Sequence, residues 1–300
     1  MRKADWARLL ILGALWGASF MFLRILAPVI GAVPTAGLRV GVGGLAFLPY
    51  FAMIRFQPRW SAHWKHYIVV ALFNVAAPML LFSFAAVHIP SSYSAIINSS
   101  TPLFGTLLSA VFLSQQLTVR GIVGLVVGMT GVGFVTSGGS SGHHSTAFWL
   151  GIGACLLAAL CYALAGVYVK RFAHGVDPVG TAGCSQLLAG LFILPFWAKE
   201  LPGIDFTWSI VLNVLALAVL CTTIGFLLYF RLVADVGPSQ AMMVALLVPL
   251  FGVGWGALFL NERITWAVAV GCVLIIASAA MVLVRTPRQA PAQVLVHSEN

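Results

Sequence analysis

Charge is what this chain has least of. Only 8% of its 300 residues are Asp, Glu, Lys or Arg, against 61% hydrophobic, and the mean hydropathy is +1.02. A water-soluble core of this size would leave far more polar surface, so a membrane protein is expected. Acids are scarcer still, seven against 16 basic residues. Asp5, Asp177, Glu200, Asp205, Asp235, Glu262 and Glu299 all fall in loops or at the ends of apolar runs. With no carboxylate at depth, a buried proton relay or cation trap is disfavoured, and neutral, zwitterionic or amphipathic cargo is expected.

Other absences narrow the chemistry. The five cysteines lie singly inside apolar runs without C-x-x-C spacing, so neither a metal site nor a disulfide framework is indicated. There is no H-E-x-x-H and no intramembrane aspartate pair, and the histidines sit in loops or at run edges. An embedded enzyme would need such groups at depth; no catalytic residue, metal or cofactor is expected. The basic residues lie between apolar runs rather than in a patch, which makes them topology signals and not a nucleic-acid surface.

What the chain has in abundance is apolar length. Ten runs of about 20 residues, each enough to cross ~30 Å of hydrocarbon as helix, lie at 7–27, 35–54, 67–87, 91–113, 119–137, 147–168, 179–198, 209–230, 237–260 and 265–284. They lack the period-two alternation of a membrane barrel, so the fold class expected is all-α. With the N-terminus in the cytoplasm, Arg2, Lys3, Arg8, Arg55, Arg59, Lys65, Arg120, Lys170, Arg171, Arg231, Arg285 and Arg288 lie inside. Arg24, Lys199 and Arg263 then lie at outer ends, and Arg39 within a span. That asymmetry predicts a multi-pass protein of the cell's inner (plasma) membrane with both termini cytoplasmic. The basic start is too long, and lacks a small-residue cleavage site, to be a signal peptide.

The chain also repeats itself. Residues 91–118 return 147 positions later as 238–265, which places Pro102 on Pro249, Leu103-Phe104-Gly105 on Leu250-Phe251-Gly252, and Thr118 on Thr265. Five spans per copy is an odd number, so the second copy enters the membrane upside down. The loops trade charge accordingly: Arg55, Arg59 and Lys65 correspond to a link holding Lys199 and Glu200. The expected architecture is ten transmembrane helices as two inverted five-helix repeats, 7–136 and 147–285. A flexible linker, 137–146, joins them, and a disordered cytoplasmic tail, 286–300, follows. His143 and His144 in that linker are too few to hold a metal. Paired spans interrupted at matching places point to a transporter. Pro102 and Pro249 are the expected breaks in the fourth and ninth spans, with Pro78, matched by Gly225, in the third.

Trp16-Gly17 followed by Ser19-Phe20, Pro34 with Arg39, Pro102-Leu103-Phe104, Pro249-Leu250-Phe251 and Leu260-Asn261-Glu262-Arg263-Ile264-Thr265 occur in order. This set resembles an EamA-type member of the drug/metabolite transporter superfamily over nearly the whole length. The resemblance implies ten helices, cytoplasmic termini, and a central cavity between inverted halves from which small metabolites, amino acids or drugs are moved, commonly outward. Two positions depart from the pattern: Gln115 stands for a glutamate, and Cys161-Tyr162 for a Trp-Gly.

Several residues are candidates for the substrate. Ser94, Asn98 and Thr101 recur at i, i+4 and i+7, a polar stripe that faces substrate or else satisfies carbonyls freed by Pro102. Asn74, Pro78 and Phe82 map onto Cys221, Gly225 and Tyr229; these faces are expected to line the cavity, with an interfacial anchor as the alternative for Tyr229. Trp16 and Phe20 stack on cargo or pack in the core. Tyr162, Gln186 and Gln240 are weaker candidates. Arg39, whose counterpart is Gly183, is either a structural anchor or a gate and anion contact. The expected partners are a small-molecule substrate and the lipid bilayer, with the oligomeric state undetermined. Against transport stand a membrane-embedded enzyme, a channel, and a non-transporting structural or receptor protein.

Overall fold

The computed structural model describes residues 1–137, 145–173 and 175–283. The expected linker falls mostly, and the expected tail wholly, outside them. Among the described residues the chain is helical throughout, without strands. Ten apolar helices follow one another: α1 Lys3–Ile30, α2 Ala32–Met53, α3 Trp60–His88, α4 Ser91–Leu113, α5 Val119–Ser137, α6 Thr146–Phe172, α7 Pro178–Trp197, α8 Trp208–Val236, α9 Val244–Leu260 with a preceding turn Pro238–Ala241, and α10 Trp266–Leu283. In hydrocarbon each backbone N–H and C=O must find a partner inside its own segment, which is why apolar runs of this length become helices. Polar caps mark where they leave the apolar layer. The Ser145 hydroxyl accepts from the Phe148 amide, the Asp177 carboxylate from Gly180 and the Thr207 hydroxyl from Ile210, each satisfying a first-turn donor.

Four helices are interrupted, and in α3 and α8 the interruptions fall at matching places. Inside α3 the segment Ala71–Ala76 is wound as π-helix, and inside α8 so is Ala216–Ile224. Pro78 comes two residues after the first, and Gly225 directly after the second. α4 breaks at Ser99 and Ser100, just before Pro102. The expectation for Pro249 differs from what is found: α9 runs unbroken through it, and the interruption lies at Met242 and Met243. A kinking proline needs only its i−4 bond released, and the helix here accommodates that without leaving helical geometry.

Packing follows small residues. α2 lies along α7, where Gly37 faces the Trp197 indole, Gly41 faces Gly190, and Gly44 faces Leu187. Rising numbers on α2 meet falling numbers on α7, so the two run antiparallel. α5 and α10 do the same, with Gly124 beside Met281, Gly131 beside Ile275 and Val135 beside Gly271. So do α4 and α9, with Ser91 beside Glu262, Ala95 beside Gly252 and Ser99 beside Ala245. In lipid the gain comes from backbone approach and dispersion, not from hydrophobic exclusion, so a side chain at Gly44, Gly131 or Gly252 would separate the helices. α1 packs on α9 and α8, and α6 on α4 and α3. At the end of the bundle where α1 begins, hereafter the near end, Asp5 and Asp235 are ringed by Arg2, Arg8 and Arg231, tying α1 to the last turn of α8.

Candidate functional site

The site is assembled around Arg39. α2 carries it about 10 Å along the helix from Ala32, and it is 8% exposed. Its Nε donates to the Thr222 hydroxyl at 3.2 Å. Thr222 sits in the π-helical stretch of α8 and in turn donates to the Leu217 carbonyl at 2.9 Å, while Thr223 donates across to the Gly43 carbonyl at 2.8 Å. A π-turn widens the ladder and turns two successive threonines onto α2, which is how an irregular helix comes to hold a buried cation. The Tyr162 hydroxyl and Cys221 thiol lie within range of its charge. Among the described residues no carboxylate pairs with Arg39, and its terminal nitrogens make no hydrogen bond. Those nitrogens are not among the buried side-chain atoms left without any partner.

Aromatic rings form two groups, one of them reaching Arg39 through Tyr162. Tyr162 of α6 lies 6.2 Å from Phe82 of α3, and Phe82 meets Phe20 of α1 edge to face at 5.3 Å. Trp16 of α1 lies 5.4 Å from Tyr229 and 5.9 Å from Phe226, both on α8. Phe82 and Tyr229 are the positions that the repeat places on one another. Gly225 leaves room for the Trp16 indole, which a Cβ there would strike. Phe20 and Tyr162 thus share one aromatic group with Phe82, and Trp16 and Tyr229 another with Phe226; of these rings Tyr162 lies near Arg39. Tyr229 is half-buried and packs against Trp16.

The polar stripe on α4 is not a single face. It presumes an unbroken helix, and the break at Ser99 and Ser100 separates Thr101 from the others. Ser94 is buried against Cys155, whose thiol donates to it at 3.5 Å. The Thr101 hydroxyl donates to the Asn98 carbonyl at 2.7 Å, one of the groups the break releases. Asn98 keeps its side-chain oxygen sealed and unpaired, and Gln186 keeps both of its polar atoms so. Gln186 lies on α7 where that helix meets Gly44 of α2. Asn74 is half-buried within the π stretch of α3, and Gln240 is exposed at the near end, apart from the rest.

Sequence reasoning missed Thr222 and Thr223, and with them the partner of Arg39. A Thr-Thr pair beside Cys221, inside an otherwise apolar run, was the available signal. It also missed the roles of Arg24, which donates to the Ala86 and Val87 carbonyls at 2.6 and 3.0 Å, and of Glu262. Chemically, the site offers a cation, hydroxyls and aromatic faces. It offers no nucleophile paired with a base, and no group of three metal-ligating side chains occurs among the described residues.

The sequence pattern of the EamA-like transporter family matches residues 6–137 and again 149–284. The chain belongs to that family. Several of its relatives carry transporter names. An uncharacterized transporter, YvbV, of Bacillus subtilis (strain 168) is 26% identical over 95% of this chain and 93% of its own length. A probable amino-acid metabolite efflux pump of Escherichia coli (strain K12) is 23% identical over 92% and 93%. A crystal structure of a protein 18% identical to this one superposes with a TM-score of 0.64, over 94% of this chain and 96% of the other, and shows the shared fold. The protein is therefore a multi-pass membrane protein of a transporter family.

Proposed function

We propose that the protein is a secondary transporter that exports small metabolites, amino acids or drugs across the cytoplasmic membrane by alternating access. The observation that carries this reading is Arg39, a buried cation held by Thr222 with no counter-ion among the described residues. A buried guanidinium is costly unless something compensates it, and a cargo carboxylate arriving from solution would do so. Tyr162, Phe82, Phe20 and Trp16 would then receive the apolar part of an amphipathic or zwitterionic cargo. Two relatives support the direction and the class: the efflux pump already described, and a probable terminal-alkyne amino-acid exporter of Streptantibioticus cattleyicolor.

The architecture we infer is two five-helix units, 7–136 and 147–285, inverted relative to one another, with both termini cytoplasmic and the near end facing the cytoplasm. The antiparallel course of α2 with α7, α4 with α9 and α5 with α10 supports it, since each is a helix paired with its own counterpart. Flux of an amino-acid and drug panel in proteoliposomes tests the function. Arg39→Ala is expected to lower flux of carboxylate-bearing cargo by about tenfold or more, the worth of one charge-assisted hydrogen bond, at unchanged protein level. Undiminished flux removes Arg39 from the site, and no flux of any cargo by the parent chain removes the transporter reading.

A further inference from the structure

The seam between α4 and α9 is built differently at its two ends. At the far end, away from the start of α1, it is tightly closed. Gly252 lies on Ala95 with no room for a Cβ, and the Ser99 hydroxyl donates to the Ala245 carbonyl at 3.2 Å. The Glu262 carboxylate accepts from the Ser91 amide at 2.6 Å and the Ser92 amide at 3.0 Å. These are first-turn donors of α4 that have no partner within the helix, and a carboxylate there also meets the positive end of the helix dipole. Arg24 of α1 holds the last carbonyls of α3, so the α3–α4 turn is gripped by a cation on one side and an anion on the other. A cavity of about 280 Å³ bordered by Arg24, Pro28, Pro90, Leu260 and Glu262 adjoins this grip, so that released charges would meet water.

At the near end Arg171 stands where the repeat places Arg24, but the counterparts of Glu262, Ser91 and Gly252 cannot do the same work. Ser114 and Asn261, 147 residues apart, both end their helices in the left-handed region, at φ 50° and 53°, so the two loops leave α4 and α9 alike. Beyond them Gln115 replaces Glu262, and Pro238, which has no N–H, replaces Ser91. Gly105 replaces Gly252, and a Cβ there would meet nothing within 4 Å. The second piece of α4 packs chiefly on α6, where Arg171 donates to the Phe112 carbonyl at 2.7 Å.

We propose that Glu262 is a one-ended latch: it holds the far end of the α4–α9 seam shut, and the lack of an equivalent at Gln115 makes the far-closed, near-open arrangement the resting state. The proposal rests on the alternating-access reading above. Glu262 acts as a positioning residue that sets which end is open, without touching cargo.

Two reporters, each adding one cysteine, test it in nanodiscs with a maleimide, with the parent chain, whose five cysteines are buried, as background. Ser91→Cys reads the closed far end and Gly105→Cys the open near end. With Glu262→Ala, labelling at 91 is expected to rise about fivefold or more while labelling at 105 falls, because one equilibrium governs both ends. Glu262→Gln, which keeps an accepting oxygen but loses the charge, is expected to lie between. Should Glu262→Ala not fold, Gln115→Glu with Pro238→Ala installs an acceptor and a donor at the near end and is expected to lower labelling at 105. Unchanged labelling at both sites in the Gln variant and the near-end variant overturns the latch. A parallel rise at both sites also overturns it, since that is general loosening. Reciprocal shifts in a protein that carries no cargo leave the latch standing and defeat the transport reading instead.

Discussion

Gln186 is the residue whose environment is least compatible with a purely structural role. Both of its side-chain polar atoms are sealed without a partner, and an unsatisfied buried group costs ~1–3 kcal/mol. Replacing it with the similarly shaped Met is therefore expected to raise the thermal midpoint of the purified protein in detergent. If it also lowers transport, the amide serves cargo in another state of the cycle; an unchanged or lower midpoint would mean that the amide has a partner in the membrane. Thr222 is the second telling position. Thr222→Val removes the acceptor of Arg39 and the bond to Leu217, and is expected to lower flux of carboxylate-bearing cargo in proteoliposomes several-fold by letting the guanidinium wander. Flux equal to that of the parent would show that Arg39 needs no positioning. Arg39 was legible in the sequence because a lone basic residue inside an apolar run is conspicuous. Thr222 and Thr223 were not, because threonine is common in membrane helices and only the π-turn aims both at α2.

Among the elements, the irregular helices concentrate the site. The π segments Ala71–Ala76 and Ala216–Ile224 occupy matching places in the two halves and carry Asn74, Cys221, Thr222 and Thr223. Pro78 and Pro102 announced the breaks in α3 and α4, but Pro249 announced one that lies elsewhere, at Met242 and Met243. A proline tells that one backbone donor is missing; neighbouring helices decide whether the ladder opens there. The polar stripe of Ser94, Asn98 and Thr101 failed for the same reason, since helical periodicity holds only while the helix does. The α5–α10 pair is governed instead by close approach. Gly131 stands within contact of Ile275 and the Gly271 carbonyl, so Gly131→Leu is expected to force these helices apart and lower the thermal midpoint by several degrees. Gly133, with nothing within 4 Å of its Cβ position, is the matched control, and equal losses from Gly131→Leu and Gly133→Leu would refute the packing argument.

For the whole molecule, ten apolar helices and membership of the EamA-like family were readable from hydropathy and from an ordered set of short motifs. Those signals survive because bilayer thickness sets run length and lipid forbids unpaired backbone, whatever the neighbours are. The cluster of Asp5 and Asp235 with three arginines was not readable, because it joins the first turn of α1 to the last of α8. Its removal by Asp235→Asn is expected to loosen the near end, seen as faster proteolysis there in nanodiscs, and unaltered proteolysis would show the cluster to be solvated decoration.

Sequence alone determined the helical class, the succession of apolar helices, the repeat in the sequence and the isolation of Arg39, all of which depend on composition and spacing along one strand of chain. Only the tertiary structure decided what answers Arg39, which ring lies near it, and which end of the α4–α9 seam closes. Those depend on meetings between residues far apart in sequence, such as Arg39 with Thr222 and Ser91 with Glu262, and no local pattern encodes a partner that lies on another helix.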